Sequence, residues 1–225
     1  RGIDFYTVPT PLLSQVDSSI GGKTAVDHAG VKNIVGAFYQ PRAVLIDPDL
    51  LSTLPARQLA SGMAEIIKMA ATSDASLFEL LEKTDDPYRA LEEIIPRALA
   101  IKQAVVEADL HEGGLRRILN FGHTVGHGIE AAGGGSLFHG ECVALGMLPM
   151  CAAAVRTRLI PLFEKVGLPT KTTVDIDAAL SFLSHDKKCK GGVIHYIFVP
   201  AVGSYSIEKA ELVTYLAQVK EALSL

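Results

Sequence analysis

Two histidines four positions apart, His123 and His127, lie in the run NFGHTVGH over residues 120–127. Residues at this spacing share one face of a helix, so both imidazoles can point into the same cleft. Such a pair often begins a metal site and resembles the HExxH arrangement without its glutamate, although two polar residues on a solvated helix face would show the same spacing. Three glycines weaken this helix by roughly 1 kcal/mol each relative to Ala, which favours close packing or the approach of a ligand.

A third histidine, His139, stands directly before an apolar run that starts a helix. A histidine at a helix entrance can be a cap or a ligand. The short glycine-rich loop that joins it to His123 and His127 favours a shared metal. Zinc sites take His nitrogen and carboxylate oxygen, and a catalytic site keeps one coordination position open. The three histidines therefore predict a metal-centred active site.

Glu65 is the best candidate for a carboxylate ligand. It lies in the run GMAEIIK over residues 62–68, in the most apolar helical stretch of the chain. A charged residue there is unfavourable unless it is paired or bound to a metal. The simpler alternative is an ion pair with Lys68, three residues later on the same helix face. The remaining histidines lack such a context and are interpreted as surface or core residues: His28, His111, His185 and His195.

Basic side chains from distant parts of the chain form a third group. Lys23 follows a glycine turn, DSSIGGKT over 17–24, which only weakly resembles a phosphate loop because the G-x-x-x-x-G-K spacing is missing. Each cation taken alone is typical of a solvated surface. Their positions near glycines and near the histidine run instead indicate an anionic substrate that carries phosphate, carboxylate or both. The other members are Lys32, Lys102, Arg116, Arg117, Lys187 and Lys188.

These groups must be positioned by a mainly helical chain. Pro55 is well placed to start a helix over 56–71, whose apolar residues form one stripe. A short apolar run at 43–47, bounded by Pro and Asp, predicts a buried strand, and strand character returns at 192–199, paired with 203–207. Further helices are predicted over 75–83, 87–110, 115–132, 140–155, 158–166, 176–184 and 209–223.

The composition restricts the function. Of 225 residues, 48% are hydrophobic and the formal net charge is −4, so the chain can bury a substantial core and has no excess charge to attract nucleic acid or an anionic membrane. No apolar run reaches the roughly 18 residues that span a bilayer.

Three cysteines without CxxC spacing, Cys142, Cys151 and Cys189, indicate reduced thiols in the cytoplasm. Because residues 1–8 resemble the middle of a larger protein, we expect an N-terminal domain to be missing.

Long motifs, distributed in order along nearly the whole chain, resemble 3-dehydroquinate synthase. The N-terminal motifs are VPTPLLSQVDSSIGGKT at 8–24 and KNIVGAFYQP at 32–41. They are followed by GMAEIIK, by RRILNFGHTVGH at 116–127, by HGECVA at 139–144 and by DKK at 186–188. Their length and order make the resemblance specific.

The resemblance implies a lyase of the shikimate pathway, which leads to aromatic amino acids. This enzyme converts the seven-carbon keto-acid phosphate DAHP to 3-dehydroquinate and phosphate. The implied steps are oxidation of a ring hydroxyl, phosphate elimination, reduction, ring opening and aldol closure. The implied cofactors are NAD, for hydride chemistry, and a divalent metal, zinc with cobalt as the alternative, to polarise the hydroxyl.

The resemblance also implies a role for individual residues. The metal ligands are Glu65, His123 and His139, which leaves His127 to handle the substrate or a proton. The other implied catalytic residues are Lys23, Lys68, Lys102, Glu112, Arg116 and Asn120. The implied substrate-binding residues are Arg1, Asn33 and Lys187, with Lys188 as the alternative to Lys187. The implied residues on the nicotinamide side are Asp17, Lys32 and Thr53.

The implied fold is α+β, a mainly helical metal-binding domain with a short strand-containing N-terminal connector, which forms the C-terminal part of a dehydroquinate synthase-like fold. Residues 1–54 are expected to be a remnant of the nucleotide-binding domain with the connector, and 55–225 the helical metal- and substrate-binding domain. The expected partners are a phosphorylated keto-acid and a second copy of the chain in a homodimer, with no nucleic acid and no membrane. Pro11 and Asp27 depart from the Thr and Asn usual in the family.

Other interpretations stay open at this point. Another sugar-phosphate cyclase, which makes an inosose or a valiolone, would share the chemistry, but Lys102 and Arg116 favour a substrate with a carboxylate. Metal-dependent polyol dehydrogenases share the general architecture and have no need of a cluster of Lys68 and Lys102. A non-catalytic metal-binding domain, or an inactive fragment, would leave the basic residues unexplained.

Overall fold

The structure is a computed structural model that describes residues 3–28, 31–110, 113–184 and 192–224. Most of the described chain is helical, as predicted. The α-helices of this part are α1 Ala56–Ser73, α2 Ala75–Lys83, α3 Leu91–Ala108, α4 His123–Gly133, α5 His139–Met147, α6 Ala153–Lys165, α7 Ile176–Ser184 and α8 Leu212–Ser224. None of these helices is both long enough and apolar enough to cross a membrane.

The strands form three small two-stranded sheets. Two sheets belong to the N-terminal segment: β1 Tyr6–Thr7 pairs in parallel with β4 Ala43–Val44, and β2 Lys23–His28 pairs antiparallel with β3 Val31–Phe38. The third sheet pairs β5 Val193–Phe198 antiparallel with β6 Ser206–Glu211 near the C-terminal end. This arrangement confirms the predicted α+β class with a strand-containing N-terminal segment.

Helix α1 is the centre of the core. It begins after Pro55, as predicted, and every residue from Ala60 to Thr72 is buried. A helix that is shielded on all sides must be covered by other elements, and α2, α3 and α5 pack against α1. Glu65 and Lys68 are buried with the apolar residues, so α1 places two charged side chains in the middle of the domain.

Helices α4 and α5 cross at close range because glycines line the contact. A Cβ atom on Gly146 would lie 2.0 Å from the carbonyl oxygen of Gly122, and one on Gly126 would lie 2.8 Å from the carbonyl oxygen of Cys142. Gly122 also adopts a left-handed conformation with φ of 77° directly before α4. The glycines therefore provide close helix packing, one of the two explanations that their presence suggested.

The same glycine corrects a helix boundary. The predicted helix over 115–132 is wrong as one element, because a 3-10 helix at Leu115–Asn120 ends before Gly122 and α4 starts at His123. The predicted helix over 87–110 likewise begins with a 3-10 turn, Pro87–Ala90, and continues as α3.

Two other helix predictions need correction. The predicted helix over 140–155 ends at Met147, and Cys151 forms a parallel β-bridge with Val199. The next helix starts at Ala153, earlier than the predicted 158–166 helix, and ends at Lys165. The last helix starts at Leu212 and not at 209 because Ser206–Glu211 pairs with β5. The helices predicted at 75–83 and 176–184 are confirmed.

The strand predictions were partly right. The 43–47 strand is confirmed only as Ala43–Val44, and the second strand of the C-terminal pair lies at 206–211, beyond the turn at Gly203, whose φ is 81°. The hairpin β2–β3 was not predicted. Its residues mix polar, charged and small side chains, so the apolar run that marks a strand is interrupted.

The substitution Gly146→Ala tests the close crossing of α4 and α5. The added methyl group would meet backbone atoms at 2.0 Å, which cannot move as a side chain could, and overpacking of this kind lowers the free energy of unfolding by roughly 1–3 kcal/mol. We expect a loss in this range in denaturant titrations of the full-length protein. Gly113→Ala is the control, because its nearest neighbour would be 3.8 Å away, and equal losses in both variants would contradict the packing argument.

Candidate metal and substrate site

Three side chains with metal-binding atoms converge from three helices. Glu65 comes from the middle of α1, while His123 and His139 are the first residues of α4 and α5. The Nε2 atoms of both histidines lie 3.6 Å from Oε1 of Glu65, and ligand atoms of the three residues all lie within 4.8 Å of one another. The sequence-predicted ligand set is thus brought together in space.

The chemistry of this donor set fits a divalent metal. Glu65 is fully buried, and its Oε1 has no hydrogen-bond partner among the described residues. A buried carboxylate oxygen in this condition is unfavourable unless a cation lies beside it. Two imidazole nitrogens and one carboxylate oxygen are ligands that zinc accepts, and three protein ligands leave a fourth position for water or substrate.

The protonation of two of these residues also suits metal binding. Burial lowers the pKa of His123 well below its usual value, which keeps the imidazole neutral. Its Nδ1 lies 3.2 Å from the carbonyl oxygen of Phe121 and can donate its proton there, so that Nε2 presents a lone pair towards Glu65. Burial opposes ionisation of Glu65, but the charge of Lys68, together with His139, outweighs it and holds the pKa of this carboxyl well below its usual value.

His139 has a carboxylate on each side. Its Nε2 faces Glu65, and its Nδ1 lies 3.6 Å from Oε2 of Glu130. Burial would lower the pKa of His139, but the two carboxylates raise it to about 9. Glu130 was not singled out from the sequence, although it lies seven positions after His123 on α4, a spacing that shares a helix face.

The start of α5 is fixed by a second set of contacts. Arg57 donates two hydrogen bonds to the carboxylate of Glu141, at 2.6 and 2.7 Å, and its guanidinium lies 4.3 Å from the ring centre of Phe138. Glu141 in turn accepts a hydrogen bond from the backbone N–H of Phe138, as in a capping box. These contacts fix the backbone at Phe138, directly before His139.

A chain of alternating charges continues from Glu65 into the N-terminal segment. Lys68 is paired with Glu65 and lies 3.3 Å from Oδ2 of Asp17, whose Oδ1 is paired with Lys102. Asp17 stands on a short π-helix, Ser14–Ser18, and Lys102 comes from α3. The ion pair of Glu65 and Lys68, the simpler alternative from the sequence, therefore exists alongside the histidine contacts and does not replace them.

Arg116 connects the site to the glycine turn. Its guanidinium donates to the carbonyl oxygens of Leu110 at 2.9 Å and of Gly21 at 3.0 Å. Gly21 has φ of 108°, and a Cβ there would lie 2.2 Å from Nη2 of Arg116, so only glycine fits this contact. Arg116 is buried and stabilises the glycine turn directly before Lys23.

These groups surround one cavity of about 330 Å³. Nine of the predicted site residues line it: Asp17, Lys23, Lys68, Lys102, Arg116, Asn120, His123, His127 and His139. Four lining residues were not predicted, three of them apolar and one a serine: Leu13, Ile20, Leu119 and Ser18. A concave site with convergent cations and a possible metal position suits a small anionic substrate.

The remaining predicted residues lie elsewhere or outside the described part. Thr53 is exposed at the end of the 3-10 helix Pro48–Thr53 and does not line the cavity. Lys32 and Asn33 belong to β3, and their side chains are outside the description. Seven of the residues singled out from the sequence lie outside the described ranges: Arg1, Glu112, Lys187, Lys188, His111, His185 and Cys189.

Solved structures place this fold among the sugar-phosphate cyclases. A 2-deoxy-scyllo-inosose synthase in complex with carbaglucose-6-phosphate, NAD⁺ and Co²⁺ is 28% identical with a TM-score of 0.89, over 99% of this chain and 68% of that one. A 2-epi-5-epi-valiolone synthase from Streptomyces hygroscopicus subsp. jinggangensis, with NAD⁺ and Zn²⁺ bound, is also 28% identical, with a TM-score of 0.82, over 97% of this chain and 66% of that one.

The sequence comparisons are more specific. Residues 1–61 match the N-terminal and residues 62–189 the C-terminal family model of 3-dehydroquinate synthase. A 3-dehydroquinate synthase of Latilactobacillus sakei is 43% identical over 98% of this chain, and one of Acaryochloris marina is 47% identical over 92%. The chain belongs to the 3-dehydroquinate synthase family, as the motifs predicted. It spans 64% and 61% of the lengths of these two relatives.

The substitution Asp17→Asn tests the alternating charges. It would leave Lys102 and Lys68, both almost fully buried, without the carboxylate between them, and breaking a buried pair on one side costs about 3–5 kcal/mol. We expect the free energy of unfolding of the full-length protein at neutral pH to fall by about that amount in denaturant titrations.

The control for this substitution is Asp4→Asn. Asp4 pairs with Arg42 at 3.0 Å, but both side chains are more than half exposed, and such a pair contributes at most about 1 kcal/mol. A loss below about 1 kcal/mol in both variants would show that Asp17 does not stabilise the buried lysines.

Proposed function

We propose that the protein containing this chain is a 3-dehydroquinate synthase, which converts DAHP to 3-dehydroquinate and phosphate. The observation that carries this proposal is the convergence of Glu65, His123 and His139 at a cavity lined by Lys23, Lys68, Lys102 and Arg116, in a chain of this family. The proposed steps are oxidation of a ring hydroxyl, phosphate elimination, re-reduction, ring opening and intramolecular aldol closure.

The charges of the cavity support an anionic substrate. DAHP carries a phosphate and a carboxylate, and three lysines and an arginine line the cavity from separate elements. Arg116 has its Nη atoms engaged with backbone carbonyls, while its buried Nε has no hydrogen-bond partner in the described part of the chain. We propose that Lys102 and Arg116 favour the carboxylate end. Arg1, Asn33 and Lys187, or Lys188 in its place, complete the proposed substrate contacts, and Glu112 assists.

We assign the metal to Glu65, His123 and His139, with zinc as the first choice and cobalt as the alternative. When bound, the metal would act as a Lewis acid that lowers the pKa of the hydroxyl to be oxidised and helps to orient the substrate. Support comes from the buried Glu65 oxygen that lacks a hydrogen bond within the described residues, and from the Co²⁺ and Zn²⁺ bound by the two related synthases.

His127 and Lys68 are the proposed proton-handling groups. The ring centre of His127 lies 5.5 Å from that of His123 and 5.9 Å from that of His139, and His127 lines the same cavity. It does not belong to the group of ligand atoms around Glu65. Lys68 places its ammonium between two carboxylates at the cavity wall, and Asn120 adds an amide beside the histidines. These positions suit groups that hold or transfer a proton during elimination and ring closure.

NAD is the proposed redox cofactor, with Asp17, Lys32 and Thr53 on the nicotinamide side. The NAD⁺ in both related synthases supports the cofactor itself. For Asp17 the contacts with Lys68 and Lys102 suggest a role in placing the substrate-binding lysines as well. The proposed setting is the cytoplasm, where the buried thiols of Cys142 and Cys151 stay reduced, and a homodimer is the proposed assembly.

A second candidate is a cyclase that acts on another sugar phosphate. The related synthases of this kind share the fold at 28% identity, whereas the dehydroquinate synthases are 43% and 47% identical to this chain. The higher identity favours the keto-acid substrate.

The proposed activity can be measured as phosphate release. We expect the full-length protein, supplied with NAD, to release one phosphate per DAHP and to form 3-dehydroquinate. A chelator should abolish the release, and added Zn²⁺ or Co²⁺ should restore it. Glucose 6-phosphate and sedoheptulose 7-phosphate, which lack the carboxylate, serve as control substrates. Faster turnover of either one would favour the second candidate, and release that persists in the chelator would contradict the metal role.

The two histidines of the original pair should differ in their effects. His123→Ala removes a proposed ligand and should lose bound metal together with activity. His127→Ala should keep one metal per chain while turnover falls by roughly 10²–10⁴-fold, the usual contribution of a general acid or base. Metal content by elemental analysis, measured beside the initial rate, checks both. Equal loss of metal in the two variants would overturn the assignment.

A further inference from the structure

Glu130 is a carboxylate at the site for which the proposed reaction has no role. It lies on α4, on the same side as His123 and His127, and its Oε2 is 3.6 Å from Nδ1 of His139. The side chains of Glu130 and His139 are 21% and 31% exposed, so their interaction is only partly screened by water.

Glu130 and Glu65 lie 3.6 Å from opposite nitrogens of His139, so a cation beside Glu65 decides which nitrogen keeps the proton. A neutral imidazole has one N–H and one lone pair, and a metal takes the lone pair. A metal held by Glu65 would take the lone pair of Nε2, and Glu130 would then stabilise the remaining proton on Nδ1. A cation on Nε2 would polarise Nδ1–H and strengthen this contact further.

His123 provides an internal comparison. Its Nδ1 is held at 3.2 Å by a backbone carbonyl, that of Phe121, which no substitution can remove. His139 has no described backbone partner of this kind and depends on a side chain for the same purpose. The two histidines therefore present the same nitrogen to Glu65 by different means.

We propose that Glu130 is a positioning residue for the metal site: it fixes the tautomer and the ring orientation of His139 and so strengthens the metal–His139 bond. This inference rests on the proposed metal site and extends it by one residue. Ligand-orienting carboxylates of this kind usually contribute 10–100-fold to metal affinity.

The competing interpretation is a second metal site. His127, Glu130 and His139 also have ligand atoms within 4.8 Å of one another. Occupation of both sites would require both nitrogens of His139 to bind cations, which removes its last proton and brings two divalent ions close together. The geometry therefore favours one metal, with Glu130 outside its ligand shell.

The test compares Glu130→Ala and Glu130→Gln with the wild type in the full-length protein. Zn²⁺ affinity is measured by competition with a chromophoric chelator, and stoichiometry by elemental analysis. We expect one metal per chain in all three proteins, a 10–100-fold loss of affinity in Glu130→Ala, and a smaller loss in Glu130→Gln, whose amide oxygen still accepts from Nδ1–H. Glu93→Gln, an exposed change on α3, should leave the affinity unchanged.

Cobalt absorption separates positioning from ligation. With Co²⁺ bound, Glu130→Gln should shift the visible bands and keep their intensity, because the coordination number is unchanged. Unaltered Zn²⁺ affinity in Glu130→Ala, or two metals per wild-type chain with one lost in the variant, would overturn the inference. Should Glu130→Ala fail to fold, the isosteric Glu130→Gln carries the test. A wild type that binds no divalent ion would instead refute the proposed metal site itself.

Discussion

The negative charge of Glu65, held inside the central helix, is the constraint on which the rest of the site depends. Helix α1 is buried on all sides along its middle, so this charge can be tolerated only if groups that stabilise it lie beside it. Lys68 approaches from the same helix, and His123 and His139 from the starts of α4 and α5. The glycine crossing of α4 and α5 allows both helix starts to reach one oxygen atom. Packing and chemistry are therefore parts of the same arrangement.

The N-terminal segment takes part in this arrangement through a single carboxylate. Asp17 lies between Lys68 and Lys102, and Arg116 holds the following glycine turn through the carbonyl oxygen of Gly21. Its carboxylate offsets the repulsion and the lost hydration of the two buried ammonium groups, and Lys68 is paired with Glu65 as well. The cavity is thus completed by residues of both matched family regions, 1–61 and 62–189.

Much of this site was predictable from the sequence, but by two routes of unequal strength. Helical spacing alone favoured His123 and His127 as a ligand pair, whereas the family motifs selected His123, His139 and Glu65, which the structure brings together. The break before α4 could not be read from the sequence, because Gly122 is compatible with a helix and its left-handed conformation follows from contact with α5. The position of Asp17 depends in the same way on packing between distant segments. The seven-residue spacing between His123 and Glu130 indicated that both lie on one helix face. A charged residue on the solvent-exposed face of a helix can have the same spacing, so the pattern did not single out Glu130.

The graded exposure of the three proposed ligand residues has a consequence for the kinetics of metal exchange. His139 is 31% exposed, His123 is 12% exposed, and Glu65 is fully buried. An incoming ion therefore meets the imidazole of His139 first and reaches the carboxylate last, and a departing ion must break its bonds in the opposite order. A molecule that fills the cavity blocks this path. Metal bound at this site should therefore be lost more slowly while the cavity is filled than while it is empty.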